Sequence, residues 1–156
     1  MNVTLRTATS SDQAWQFQLH EDAHRALVEA AYGPWDEEQQ LQFFLALVHA
    51  HNSYIIECDG GAVGAVYLGL RNQDQWLELI EVSSDRQNQG IGSTALDWIL
   101  SKAENDGRGT LLQVHQLNTG ALRLYEQKGF LPAGQTESHE LLRHPRAGDG
   151  STKPRQ

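Results

Sequence analysis

Cysteine is almost absent. Cys58 stands alone in 156 residues, so no internal disulfide can form and a reducing, cytoplasmic setting suits the chain. No motif for a nucleophile lies beside it, and a small apolar residue within a strand is the expected role. Long apolar runs are missing too, since no stretch approaches the ~20 residues of a membrane span. The opening MNVTLRTATSSDQ has neither the basic nor the apolar region of a secretory signal. Basic residues are outnumbered, 12 Lys and Arg against 20 Asp and Glu, a net charge of -8. That balance speaks against nucleic acid, whose binding needs Lys and Arg to neutralise phosphates. An acidic surface favours cationic ligands and solubility.

What is present alternates between strand and helix signals. Val3 to Ala8 alternates as an opening strand, and a helical period then runs from the capping residues near Thr9 to Gly33. DEEQQLQFFLALVHAH reads as a second helix with acids in its first turn. In SYIIECDGGAVGAVYLGL, two β-rich runs flank Asp59-Gly60-Gly61, a hairpin signal. Trp76 to Val82 reads as a strand with Trp76, Glu78, Ile80 and Val82 on one face and Leu77, Leu79 and Glu81 on the other. A helix through Glu104 carries Ile91, Ala95, Ile99 and Ala103 along one side. GTLLQVHQ predicts a short strand, and NTGALRLYEQKGF a helix capped by Asn118 and stopped by Gly129. QTESHELLRH predicts one closing strand. The expected fold is a single α/β (mixed α+β) domain over residues 1–144, with a mixed twisted sheet of about six to seven strands and about four helices. Residues 145–156 are expected to be a disordered tail.

Three stretches carry candidate chemistry. Gly90 to Ala95 fits the dinucleotide pattern G-x-G-x-x-G/A, but the next strand ends in LLQVHQ, without the carboxylate that holds a ribose. His20 to His24 satisfies H-E-x-x-H, which on a helix puts two histidines one turn apart with Glu21 available as a base. No third ligand with its own motif follows, although Glu37, Glu38 or His49 can be nominated. A solvated polar helix face is the simpler expectation, and a zinc metalloprotease-like hydrolase the alternative. The third stretch joins the glycine loop to Asn118–Phe130.

Gln87-Asn88-Gln89-Gly90-Ile91-Gly92 matches Q/R-x-x-G-x-G/A, with Ser84 where a proline is common. Asn118, Ala121, Tyr125 and Gly129-Phe130 follow in NTGALRLYEQKGF. With this pairing of motifs the chain resembles the GNAT superfamily of N-acetyltransferases, from the opening VTLR to near Leu142. The resemblance implies acetyl-CoA as co-substrate, no metal, and direct attack by a primary amine in a ternary complex. Backbone groups at Ile80 and Val82 would bond the pantetheine and thioester oxygen, and those of Gln87, Asn88, Gln89, Gly90, Ile91, Gly92 and Ser93 the phosphates. Asn118 and Tyr125, two helical turns apart, share a face, and Tyr125 would be the general acid for the departing thiolate. Some relatives carry a glutamate as the base where this chain has Gln113; of the acids that remain, Glu78 ranks ahead of Glu81 because it shares its face with Ile80 and Val82. Trp35, Asp36, Glu37 and Glu38 fall where the family shapes its acceptor pocket. The acceptor is a small-molecule or peptide amine, with no membrane or nucleic-acid partner, and a homodimer is compatible. A non-catalytic CoA-binding module shares the same loop.

Overall fold

Alternation of strand-forming and helix-forming runs becomes a mixed α/β structure in the computed structural model, which describes residues 1–150. Seven strands follow the hydrogen-bonded order β1-β2-β3-β4-β5-β7-β6. The chain divides into two compact units, Met1–Gly69 with Glu78–Leu96, and Leu70–Leu77 with the residues from Asp97 onward.

In the first unit, β1 (Val3–Thr7) pairs antiparallel with β2 (Asn52–Cys58), which pairs antiparallel with β3 (Gly61–Arg71). The expected hairpin turn sits at Asp59–Gly60. Ile55, Ile56, Ala65, Val66 and Tyr67 are wholly buried on these strands. Each large apolar side chain removed from water in this way is worth about 1.5–3 kcal/mol. A short 3-10 turn (Ser10–Asp12) leads into α1 (Gln13–Tyr32), and α2 (Glu37–Ala50) follows. Leu19 of α1 and Phe44 of α2 meet Ala65 and Tyr67 of β3, with Trp15, Phe17, Leu47, Val48 and Leu79 packed around them. Asp36 starts α2 by accepting the Gln39 N–H at 3.0 Å.

The second unit holds the start of β4 (Asp74–Val82), β5 (Thr110–His115), α4 (Thr119–Gln127), β6 (Leu131–Gln135) and β7 (His139–His144). β4 and β5 run parallel and are in register at three pairs, Gln75–Thr110 to Leu77–Leu112. β5 pairs antiparallel with β7, and β7 with β6. Gln75 is buried yet satisfied, its side-chain amide donating to the Ile99 carbonyl at 3.0 Å and the Thr110 hydroxyl at 3.2 Å. The helix α3 (Ile91–Asn105) has residues in both units, and the expected apolar face is present: Ile91, Ala95, Ile99 and Ala103 are all buried.

Three expectations change. The single closing strand is two, because the chain turns between Gln135 and His139 and the preceding Leu131–Gln135 forms β6. Every residue of β6 is exposed, and Pro132 and Gly134 flank a register shift, so neither periodicity nor composition marks it as a strand. β4 begins at Asp74, after a tight turn in which Asn72 has φ 58°. The tail starts with a fifth helical segment, Ala147–Gly150, in which Asp149 meets Arg143 at 3.0 Å; residues 151–156 lie outside the described residues.

Candidate functional site

The glycine loop is held from several sides. A 3-10 turn, Ser84–Arg86, follows β4, and α3 begins at Ile91. Gln87 donates its side-chain amide to the Val82 carbonyl at 3.0 Å, and Arg86 donates Nε to the Gln89 amide oxygen at 3.1 Å. Asp22 of α1 accepts both the Ser84 N–H, at 2.7 Å, and the Ser84 hydroxyl, at 2.8 Å. Asn88 and Gly90 take φ 62° and 85° within three residues of chain. A Cβ placed on Gly90 would meet no atom within 4 Å, so the space over this backbone is open. The Thr94 N–H is bonded to the Gly90 carbonyl at 3.0 Å, the first turn of the α3 ladder. Helix geometry leaves the N–H groups of Ile91, Gly92 and Ser93 ahead of that bond without an intrahelical acceptor. The loop therefore presents open backbone and a helix N-terminus together, which fits a phosphate.

On β4 the two glutamates go to different surroundings. Glu78 is partly exposed and lies 3.5 Å from His51 Nε2, while His51 Nδ1 donates to the Leu47 carbonyl at 2.9 Å. Glu81 is 2% exposed and lies against α1. His20 Nδ1 and His24 Nδ1 approach the same oxygen, Glu81 Oε2, at 2.7 Å and 2.6 Å. Burial opposes the charge on Glu81, but His24 and His20 outweigh it and hold its carboxyl at about 2. Burial likewise opposes protonation of His24, and the Glu81 carboxylate outweighs it, raising the His24 pKa. Gly64 lets β3 come close to the Glu81 backbone, since a Cβ there would run into the Glu81 carbonyl oxygen.

The H-E-x-x-H stretch is thus not the solvated polar face expected of it. His20 is buried and His24 half-buried, and the residue they meet is Glu81, not Glu37, Glu38 or His49, which are exposed. The protease alternative also loses its base, because Glu21 pairs with Arg25 at 2.7 Å along α1. The i, i+4 spacing signalled that the histidines share a face. Only the fold could show that a strand 61 residues away supplies the carboxylate.

In the second unit, Asn118 accepts the Ala121 N–H at 3.3 Å and caps α4. Tyr125, on the same helix, is 6% exposed and packs on Phe130 with ring centroids 5.4 Å apart. Burial raises its pKa, so the phenol keeps its proton. Trp35, Asp36, Glu37 and Glu38 stand where α2 begins. Asp36 is its cap, Glu37 and Glu38 face solvent, and the indole of Trp35 lies 6.1 Å from the His20 ring.

Comparison with known proteins bears on the whole arrangement. No curated protein matches the sequence. The fold is shared with the PaiA N-acetyltransferase of Thermoplasma acidophilum in complex with coenzyme A, at TM-score 0.75 and 14% identity, covering 93% of this chain and 99% of that one. The ribosomal-protein-alanine N-acetyltransferase of Escherichia coli superposes at TM-score 0.71 with 21% identity, covering 92% and 94%. A GNAT family acetyltransferase of Elizabethkingia anophelis with acetyl-CoA bound gives TM-score 0.71 and 18% identity, covering 92% and 98%. A model of the acetyltransferase (GNAT) family matches residues 17–130, which takes in most of α1, the glycine loop and α4 through Phe130, and the chain belongs to that family.

Proposed function

We propose that the chain is an N-acetyltransferase that moves the acetyl group of acetyl-CoA to a primary amine by direct attack in a ternary complex. The observation that carries this reading is the Gln87–Ser93 loop, open over Gly90 and running into the N-terminus of α3. Its N–H groups suit the pyrophosphate of coenzyme A. Bound acetyl-CoA supplies the acetyl group already activated as a thioester, and the residues around it bind, orient and move protons. Beyond Leu77, the last β4 residue in register with β5, the backbone at Ile80 and Val82 is assigned to the pantetheine and the thioester oxygen. The Val82 carbonyl is held meanwhile by Gln87, a contact that ties the strand end to the loop.

Glu78 is assigned as the base that takes the proton of the attacking amine, directly or through water. It is the more exposed of the two β4 glutamates, whereas Glu81 is enclosed and already engaged by two histidines. Tyr125 is assigned as the acid that returns a proton to the departing thiolate, and Asn118 as cap and neighbour on the same helix. The reference pKa of a thiol is about 8.5 and that of a phenol about 10; burial raises the Tyr125 phenol further, so it holds its proton until the thiolate leaves beside it. No metal takes part in these steps. The lone buried thiol of Cys58 is consistent with a reducing, cytoplasmic setting, and no described helix is long and apolar enough to cross a membrane.

Calorimetry with acetyl-CoA, followed by turnover across small amines, amino acids and peptide N-termini and lysines, tests the reading. Saturable binding and acetylated product support it. A folded sample that does not bind acetyl-CoA rejects it, and binding without turnover on any amine assigns a non-catalytic CoA-binding module instead.

A further inference from the structure

We propose that His20, His24 and Glu81 form a binding site for one divalent transition ion of the zinc class, separate from the proton-transfer residues assigned above. The two histidines are one turn apart on α1, with their rings stacked at 5.1 Å and 28°. Both direct Nδ1 at one carboxylate oxygen of β4. A hydrogen-bonded cluster leaves this group unfinished. His20 makes a hydrogen bond to Glu81 Oε2, but His24 Nδ1 lies close to the same oxygen without the alignment of one. Glu81 Oε1 is fully buried and has no hydrogen-bond partner among the described residues. No Lys or Arg pairs with Glu81 among the described residues. A buried carboxylate in that position needs a cation, and a metal ion held by both imidazoles supplies one in place of a proton on His24.

Converging donors with spare valence are what a metal ion uses. The three ligand atoms lie within 4.8 Å of one another. Tetrahedral coordination with bonds of about 2.0–2.2 Å sets ligand atoms about 3.3 Å apart. The present separations of 2.7 and 2.6 Å would have to open by roughly 0.6 Å on binding. Two imidazoles with one carboxylate are a borderline donor set that suits zinc and its neighbours, whereas calcium and magnesium take mainly oxygen. Phe44 and Trp35, each with its ring 6.1 Å from that of His20, give the site an aromatic wall. The side chains of His20 and His24 are 11% and 17% exposed, so an ion has a way in from the α1 side. Once bound it joins α1 to β4, and through Asp22 the same helix holds the glycine loop.

The test is calorimetric titration of metal-stripped, full-length protein with zinc chloride, repeated with cobalt chloride to read the visible d–d bands of tetrahedral Co²⁺. One ion per chain, a raised melting temperature and no response to magnesium or calcium are expected. His24→Ala should weaken zinc binding by at least about 100-fold, more than loss of an outer hydrogen bond to a ligand costs. Glu81→Gln should weaken it as well, keeping the side-chain shape. Replacing His115 and His139, whose rings lie 4.9 Å apart, controls for another histidine pair and should leave binding intact. Absence of saturable zinc binding to the folded wild-type protein overturns the proposal, whatever the variants do. Binding that survives in His24→Ala, or follows the His115–His139 pair, overturns it too. No acetyl donor or acceptor enters the titration, so its failure leaves the acetyltransferase reading standing.

Discussion

Removing one oxygen from Tyr125 separates a catalytic phenol from a packed one. Tyr125→Phe keeps the ring against Phe130. With the hydroxyl acting as the acid, single-turnover acetylation should slow by the ~10²–10⁴-fold typical of losing a general acid, while acetyl-CoA affinity changes little. An unchanged chemical step with an altered melting temperature would assign the residue to the core. Gly90 is the matching case for binding. Its φ of 85° costs a residue with a Cβ about 1–2 kcal/mol, and the open space above it would be filled by new methyl groups. Gly90→Val should therefore stay folded at a modest stability cost and lose most acetyl-CoA affinity in calorimetry. Wild-type affinity would make the loop a plain turn. At this scale the sequence was informative where the signal was local: the glycines, Asn118 and Tyr125 are spaced within single motifs. It named Glu81 only as the second candidate base and was silent on its partners, which come from α1.

Among the elements, α4 is the one most exposed to a single change. It has only nine residues, and helices that short are marginal without a cap and a packed face. Asn118 supplies the cap and Tyr125 its buried residue. Asn118→Ala should cost ~1 kcal/mol, measured as a lowered midpoint in urea with the slope unchanged. A loss of turnover much greater than the loss of stability would show that Asn118 also serves the bound donor. The elements legible from sequence share one property, an apolar period that the core uses: α3 is read correctly from Ile91, Ala95, Ile99 and Ala103, all of which are buried. β6 has no such period because all five of its residues are exposed, and only its pairing with β7 makes it a strand. Residues His139 to His144 were legible as a strand, but not the turn that separates them from Gln135.

For the molecule as a whole, acid is the revealing stress, because each unit carries its own arginine–carboxylate fork. In the first, Arg6 holds Asp12 through two contacts of 3.0 Å and reaches Glu57 at 2.9 Å. In the second, Arg143 holds Asp74 at 2.8 and 2.9 Å and reaches Asp149 at 3.0 Å. The Arg6 guanidinium, with the Thr9 N–H, keeps the Asp12 carboxyl at about 2, and Arg143 keeps that of Asp74 below its ordinary value. Both folded values lie under the unfolded reference of about 3.9. The stability these groups contribute is therefore complete above about pH 4 and is lost as pH falls from there through about 2. Melting temperature should drop steeply below about pH 4. Asp74→Asn and Asp12→Asn should each lower it at pH 7, and their deficits should shrink as pH falls below about 4, as the wild-type carboxylates take up protons as well. The two forks share no residue, so the double variant should show the sum of the single effects. A deficit that persists undiminished at about pH 2 would mean that side-chain packing, rather than the charged forks, is what the substitutions remove.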